Sequence, residues 1–257
     1  MKIFRFFGVA VAALCMCMNF TACSSDDGSD GGGGSINEKK LTKIVLGEET
    51  YTTFSYDNQG RVIEVVDSKK YESSKEVHTY QYIWGDNAVV VNKQTQVVNP
   101  DGYTEKSSSS YEYDIENGLV QSNNRNEDIE TFYYNNSNRL SQIKSRWYTD
   151  DYLWDGDKLV VIDNSIKLTY KKSCSKGYSP IFVEGCISSE PLLIAHPEII
   201  GVRTKQLPAT VTTTWNDGQG YGEQTVVVSY SYTFDNEGYI SKIEINEEKI
   251  TYTLTWE

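Results

Sequence analysis

The chain has 257 residues, with 24 Lys and Arg against 36 Asp and Glu and a formal net charge of −12 at pH 7. An acidic protein repels polyanions, which argues against nucleic acid and anionic lipid as partners. Aromatic residues make up 12% of the sequence and include 19 Tyr, so aromatic side chains are available in large number to build a core.

The first 22 residues are predicted to be a signal peptide. Lys2 and Arg5 precede an apolar run that ends at Leu14 and is too short to cross a bilayer. The small residues before Cys23 resemble the lipobox of bacterial lipoproteins. That resemblance implies cleavage before Cys23 and lipid attachment to it, and an ordinary cleaved signal that leaves Cys23 as a thiol is the alternative.

Residues 23–37 are predicted to be a lipidated Cys followed by a flexible tether, because Ser, Asp and Gly fill the stretch from Ser24 to Gly34. An acidic stretch after the lipidated Cys is similar to the signal that sends lipoproteins of some Gram-negative gut commensals to the outer leaflet of the outer membrane. We therefore expect a lipid-anchored outer-membrane protein that faces the cell exterior, with the periplasmic face as the alternative. The membrane is then a partner through the lipid anchor only.

A hairpin sequence that recurs in weaker copies organises the rest of the chain. Its clearest copy alternates aromatic and polar residues up to Tyr56 and then turns. Asp57 and Asn58 tolerate turn conformations and Gly60 supplies a positive φ, which suits a short loop with a bulge. Similar turns follow five further aromatic residues: Trp84, Tyr113, Tyr134, Trp154 and Phe234.

Aromatic residues stand two apart on the strands that lead into these turns, as in Tyr80, Tyr82 and Trp84. A period of two places them on one face of a sheet, with polar residues on the other. Consecutive hairpins give an antiparallel meander. We therefore predict a single all-β domain over residues 38–257, with a long antiparallel meander that forms a curved sheet or an open barrel.

The alternation breaks in an insertion at about residues 173–208. Its apolar run from Glu190 to Gly201 does not alternate, and it carries Pro191 near its start and Pro197 inside. This pattern predicts a short helix or an irregular segment that covers the concave face of the sheet.

Two cysteines remain once the signal peptide and Cys23 are set aside. Cys174 and Cys186 are 12 positions apart, and an oxidising exported compartment favours a disulfide between them. A metal pair is less favoured, because neither has a second Cys or a His at ligand spacing.

The sequence has no nucleophile elbow, zinc motif or phosphate loop, and we expect no cofactor. His78 and His196 are interpreted as structural residues. The densest acidic cluster is interpreted as hairpin turn residues, with a calcium site as the alternative. Its members are Asp150, Asp151, Asp155 and Asp157.

Most aromatic residues fall on the core-forming face, but a few lie near turns or outside the repeated stripe. These residues are candidates for a ligand-binding rim, since exposed aromatic rings can stack on sugars. They are Tyr103, Trp147, Tyr148, Trp215 and Tyr221.

The lipobox, the Gly-rich tether and the Tyr-Asp-Asn-x-Gly hairpins, together with the segments 200–208 and 232–243, resemble a family of exported bacterial lipoproteins. That family has a domain of unknown function described as porin-like. The resemblance covers most of residues 38–257 and implies a curved antiparallel sheet or open barrel and no activity. The hairpins also resemble, more weakly, the Tyr-Asp repeats of large secreted shell-forming proteins.

Three functions are compatible with these features. We favour a non-enzymatic binding or accessory domain at the cell surface, with a glycan or another protein as its partner. A hydrolase that acts on extracellular polymers through a pair of carboxylates is the second. A purely structural envelope protein is the third. The oligomeric state is left open.

Overall fold

A computed structural model describes residues 38–125, 128–216 and 223–257. The described chain contains sixteen strands, two short α-helices and one 3-10 helix. In chain order the strands are β1 (Leu41–Gly47), β2 (Thr50–Tyr56), β3 (Val62–Lys70), β4 (Lys75–Trp84), β5 (Ala88–Val98), β6 (Thr104–Glu116), β7 (Leu119–Arg125), β8 (Asp128–Tyr134), β9 (Leu140–Lys144), β10 (Thr149–Asp155), β11 (Lys158–Ile162), β12 (Ile166–Ser173), β13 (Gln206–Asn216), β14 (Glu223–Phe234), β15 (Ile240–Ile245) and β16 (Ile250–Trp256). Between β12 and β13 lie α1 (Pro180–Cys186), α2 (Pro191–Ala195) and the 3-10 helix (Pro197–Ile200).

The predicted all-β antiparallel meander is confirmed. Each strand is hydrogen-bonded to its neighbour in the sequence, and β16 pairs with β1, so the strand order is that of a closed barrel. The sequence had indicated a curved sheet or an open barrel. In the structure the first strand, β1, pairs with the last, β16, so the strand order is closed rather than open. Within the described residues, no helix has the length and apolar character needed to span a membrane.

The chain divides into two compact units. Unit 1 contains the described residues up to Tyr82, together with Asn92–Ser109 and Thr253–Glu257. Unit 2 contains Ile83–Val91 and Ser110–Tyr252. Unit 1 therefore includes β1 to β3, and unit 2 includes β7 to β15 and the insertion.

The lead hairpin of unit 1 forms the turn that its sequence predicts. The Asp57 carboxylate accepts hydrogen bonds from the backbone N–H groups of Gln59 (2.8 Å) and Arg61 (3.0 Å). Gly60 has a φ of +76° and donates its N–H to the Asp57 carbonyl at 3.0 Å. The register shifts between Ser55 and Tyr56, as expected for a hairpin loop with a bulge.

Unit 2 repeats this turn. Asn135 and Asp235 each accept two backbone N–H groups through the side chain, two and four residues further on. Asn138 and Gly238 take the positive φ values, at +56° and +92°. The copies of the Asp-Asn-x-Gly sequence therefore form the same type of hairpin turn.

The repeated aromatic residues also have a role that alternation alone did not reveal. Several donate a side-chain hydrogen bond to a backbone carbonyl near the start of the preceding strand. The donors and acceptors are Tyr56 and Leu41 (2.8 Å), Tyr134 and Val120 (2.5 Å), Trp154 and Leu140 (2.7 Å), Tyr170 and Leu159 (2.7 Å), and Tyr232 and Pro208 (2.9 Å). Tyr and Trp suit this position because they fill the core and still satisfy one polar atom.

The insertion packs against the aromatic face of unit 2. All of α2 is buried, as are most residues of α1 and of the 3-10 helix. Pro opens each of the three helices, where its missing N–H costs least. The prediction of a short helical insertion that covers this face is consistent with the structure, although Pro197 separates α2 from the 3-10 helix rather than bending one helix.

The C-terminal end of the insertion is held by the hairpin turns of unit 2. Arg139 donates to the carbonyl of Arg203 at 2.6 Å, and Thr204 donates to the carbonyl of Asp157 at 2.8 Å. Gly201 has a φ of +64°, and a Cβ atom at this position would collide with the Asn138 carbonyl oxygen. These turns lie at the end of unit 2 where the insertion leaves β12, which we call the insertion end.

The structure contradicts the predicted disulfide, because Cys174 and Cys186 are both buried and no disulfide joins them. The Cys174 sulfur lies 3.4 Å from the carbonyl oxygens of Gly177 and Lys205, where the insertion begins and ends. Cys186 is the last residue of α1, and burial raises its pKa to about 12. Each thiol is therefore packed within its own part of the insertion, which the spacing in the sequence could not show.

Candidate ligand-binding site

Three neighbouring strands of unit 2 place polar residues side by side on the core-forming face. Tyr113 of β6 pairs with Asn123 of β7, and Asn123 pairs with Glu130 of β8. Paired residues of an antiparallel sheet point to the same side. Tyr113 and Asn123 are fully buried, at 1% and 2% exposure, so this row lies inside the fold rather than on its surface.

Asn123 is only partly satisfied in this row. Its Nδ2 donates to Glu130 Oε2 at 3.2 Å, whereas its Oδ1 is buried without a hydrogen-bond partner. A buried acceptor left unpaired costs about 1–3 kcal/mol. Asn123 Oδ1 is therefore an acceptor of this row that no donor of the described chain satisfies.

The insertion adds a carboxylate to the same face. Glu190 precedes α2 and is 5% exposed. It accepts a hydrogen bond of 2.6 Å from the Tyr111 hydroxyl, and its Oε2 lies 3.8 Å from Nη1 of Arg125. The Arg125 guanidinium also lies over the Tyr111 ring, at 5.1 Å from its centroid.

Arg125 connects this buried group to solvent, since its side chain is 44% exposed. It is the last residue of β7, so it lies at the end of unit 2 opposite the insertion end. Burial raises the pKa of the Tyr113 phenol well above its usual range, and the charge of Glu190 acts in the same direction. Tyr113 therefore remains a neutral donor and acceptor at all physiological pH values.

The hairpin between β9 and β10 supplies one more aromatic residue to this group and carries a second, exposed one. The Tyr148 hydroxyl is hydrogen-bonded to Glu130 Oε1. The adjacent Trp147 is 72% exposed, and the Arg146 guanidinium lies 4.8 Å from its ring centroid. We call Tyr111, Tyr113, Asn123, Arg125, Glu130, Tyr148 and Glu190 the polar cluster, and Trp147 stands beside it in sequence.

The aromatic residues predicted to form a ligand-binding rim do not lie together in the structure. It brings Tyr148 into the polar cluster and leaves the preceding residue, Trp147, exposed. Tyr103 is 61% exposed but belongs to a turn of unit 1, and Trp215 lies on β13 with intermediate burial. Tyr221 lies outside the described residues.

The acidic residues singled out as a calcium alternative do not converge. Asp150 and Asp151 lie at the start of β10, Asp155 ends that strand, and Asp157 follows in the next turn. Four residues of extended strand span about 13 Å, which is too far for one ion. In the part of the chain that the structure describes, no group of three or more His, Cys, Asp or Glu could hold a metal ion.

Both histidines are buried among structural partners. His196 is 6% exposed, lies 2.7 Å from Glu198 Oε1 and packs edge-on against Trp84. His78 is 8% exposed, and its Nδ1 lies 2.8 Å from Thr95 Oγ1. These packed positions agree with the structural roles that the sequence indicated.

Unit 1 contains a second buried polar group. Asp67 pairs with His78 across β3 and β4 and is 7% exposed. Burial raises the pKa of Asp67 to about 6, and Lys69, at 3.5 Å, opposes that rise. An exposed aromatic residue also lies beside this group: Tyr71 is 48% exposed, and its hydroxyl lies 3.5 Å from Glu76 Oε2. Glu76 in turn lies 3.3 Å from His78 Nε2.

Sequence reasoning missed Asn123, Arg125, Glu130 and Glu190. Glu190 had one local indication, since it is a lone charge at the head of an apolar run. The others look like ordinary polar strand residues, and only the register of β6 to β8 brings them together.

Comparison with protein-family models and with curated proteins finds no match to the chain.

Proposed function

We propose that this protein is a lipid-anchored outer-membrane protein of the cell surface whose β domain binds a neutral oligosaccharide without cleaving it. The observation that supports this proposal most strongly is the unpaired Asn123 Oδ1, buried beside Glu130 and Tyr148. A sugar hydroxyl is a donor that can satisfy such an oxygen.

The chemistry of the polar cluster favours a sugar over other small ligands. Carboxylates and the Asn123 oxygen accept hydrogen bonds, Arg125 donates them, and the Tyr hydroxyls do both. A sugar offers hydroxyl groups of both kinds, together with an apolar C–H face that can stack on an aromatic ring. Trp147, with its exposed indole, offers that ring.

The charge of the cluster narrows the ligand further. Within the polar cluster, Glu130 and Glu190 contribute two carboxylates against the one guanidinium of Arg125, whereas the Arg146 guanidinium lies over Trp147, outside the cluster. An anionic sugar would meet this excess of negative charge at close range, where the screening by water is weak. A neutral oligosaccharide is therefore the favoured class.

The anchor places this domain where glycans are found. Lipid at Cys23 and the tether of residues 23–37 hold the domain away from the membrane, and the acidic stretch directs it to the exterior. Substitution of Cys23 by Ser should abolish incorporation of labelled palmitate and release the protein from the membrane fraction. Degradation by a protease added to intact cells would support exposure to the exterior.

The glycan proposal is tested by screening the purified full chain on an array of neutral and acidic oligosaccharides. We expect binding to neutral members and a loss of about five- to a hundredfold in Trp147→Ala, by analogy with the stacking of a nucleobase on an aromatic ring, which contributes about 1–3 kcal/mol. Tyr103→Ala is the matched control, since it removes an exposed aromatic residue of unit 1. Equal loss in both variants, or no binding to any oligosaccharide, would overturn the proposal.

The same assay separates binding from hydrolysis. A bound oligosaccharide should be recovered at its original length after prolonged incubation. Shorter products that disappear in Glu130→Gln or Glu190→Gln would instead favour the hydrolase, which requires a pair of carboxylates.

A further inference from the structure

Strand β14 extends beyond its neighbour β15. The pairing of β14 with β15 begins at Tyr230, which faces Ile245, the last residue of β15. β14 itself starts seven residues earlier, at Glu223, and it pairs with β13 along this stretch. Residues 223–228 therefore have a strand on one side only within the described chain.

The hydrogen bonds around Ser229 show which backbone groups face the free side. The Ser229 N–H donates to Glu247 Oε2 at 2.7 Å, and its carbonyl accepts from the Asn246 N–H at 3.1 Å. Both of these partners follow β15, so Ser229 points its backbone groups towards that side. Alternate residues of a strand do the same, which gives Glu223, Thr225 and Val227 the free N–H and C=O groups.

The side chains on this edge favour pairing. Gln224 to Val228 contain no charge, and Val226 and Val227 are 45% and 46% exposed. β-Branched residues also prefer the extended conformation. Natural edges are normally protected by charged residues, as in β6, where the part without a β7 partner carries Glu105 and Lys106.

We propose that the free edge of β14 pairs with the same edge of a second copy of this chain, in antiparallel orientation about a two-fold axis at Thr225. In this register Thr225 faces its own copy, and Glu223 faces Val227 of the other copy. All three free positions are used, and the bond between Ser229 and Glu247 stays intact. The result is a four-stranded ribbon, which is more stable than an isolated two-stranded hairpin.

The edge residues bring no like charges close together in this register. The two Glu223 residues would be four positions apart along the paired strands, or about 13 Å. That separation exceeds the Debye length of about 8 Å at physiological ionic strength. A two-fold interface is self-complementary, so no further partner is needed to close the assembly.

The register is tested by cross-linking cysteine variants of the full chain under mild oxidation. Facing residues of an antiparallel pair have Cα atoms about 5.5 Å apart, within the range of a disulfide. Thr225→Cys should therefore give a covalent dimer that the wild type lacks. Val227→Cys is the matched control and should not cross-link to itself, although it should cross-link when mixed with Glu223→Cys.

The association is tested by sedimentation velocity on the wild-type chain over a range of micromolar concentrations. We expect a monomer–dimer equilibrium whose association constant falls about tenfold or more in Val227→Pro, which removes one edge donor from each copy. Val227→Thr keeps the donor and should dimerise like the wild type. A wild type that stays monomeric, a Val227→Pro variant that dimerises normally, or cross-linking of Val227→Cys as fast as Thr225→Cys would overturn the proposal.

Discussion

Tyr111 and Glu190 lie 79 positions apart in the sequence and are joined by a hydrogen bond of 2.6 Å. This bond links β6 to the insertion inside unit 2. The nearby guanidinium of Arg125, 3.8 Å from the same carboxylate oxygen, is the compensating charge. The insertion is therefore held by polar contacts at this point as well as by its buried apolar residues.

Tyr111→Phe should lower the free energy of unfolding by about 1–3 kcal/mol, because it leaves the buried Glu190 carboxylate without its best donor. Urea unfolding followed by circular dichroism measures this change. Tyr133→Phe is the control, since Tyr133 is 45% exposed, and it should change the free energy of unfolding by less than about 0.5 kcal/mol. Equal stabilities for both variants would contradict a role for this hydrogen bond.

Gly201→Ala should destabilise unit 2 by more than about 2 kcal/mol. Gly201 has a positive φ, which Ala adopts at a cost, and the Cβ of Ala would collide with the Asn138 carbonyl oxygen. Gly185→Ala is the matched control in α1, where a Cβ would meet no atom within 4 Å. A helical Ala should stabilise by about 0.5–1 kcal/mol relative to Gly. Thermal unfolding of both variants gives the comparison, and similar midpoints would contradict the close approach at Gly201.

The sequence predicted those parts of the fold that depend on local chemistry. Asp57 and Gly60 define a turn by themselves, and alternation defines the buried face wherever it continues. The polar cluster depends instead on contacts between residues far apart in the sequence. The strand register pairs Asn123 with Glu130, and the packing of the insertion buries Glu190. The disulfide prediction was wrong for a related reason. The number of residues between Cys174 and Cys186 does not determine which side chains pack around each thiol.

The raised pKa of Asp67 predicts a stability that falls as pH rises. The folded state holds this proton up to about pH 6, whereas an unfolded Asp loses it near pH 4. Between these values the folded chain binds more protons than the unfolded chain, so the free energy of unfolding decreases with pH, by at most about 3 kcal/mol. Other groups that titrate between about pH 4 and pH 6 also contribute to the pH dependence of the free energy of unfolding.

Asp67→Asn isolates this contribution. The variant should be more stable than the wild type at pH 7, and the difference should shrink as pH falls towards 4. Thermal unfolding at several pH values measures it, with Asp155→Asn as an exposed control. A difference between wild type and Asp67→Asn that does not vary with pH would contradict the raised pKa.

Because Cys174 and Cys186 are buried thiols, we expect both to react slowly with thiol reagents and the reductant to leave the stability unchanged. Cys174 and Cys186 are buried, and burial also keeps Cys186 in its unreactive protonated form, with a pKa of about 12. In Cys23→Ser, a thiol reagent should react with Cys174 and Cys186 only after denaturant is added. The unfolding temperature should be the same with and without dithiothreitol, and a large drop with the reductant would reinstate the disulfide.

The proposed binding of a neutral oligosaccharide at the polar cluster is tested most directly by calorimetric titration of Glu130→Gln. The ligand is the neutral oligosaccharide that binds best on the array. Loss of one charged hydrogen-bond acceptor costs about 1.5–3 kcal/mol, so we expect the affinity to fall roughly ten- to a hundredfold while the fold is unchanged. An affinity equal to that of the wild type would place the ligand elsewhere and contradict this assignment of the site.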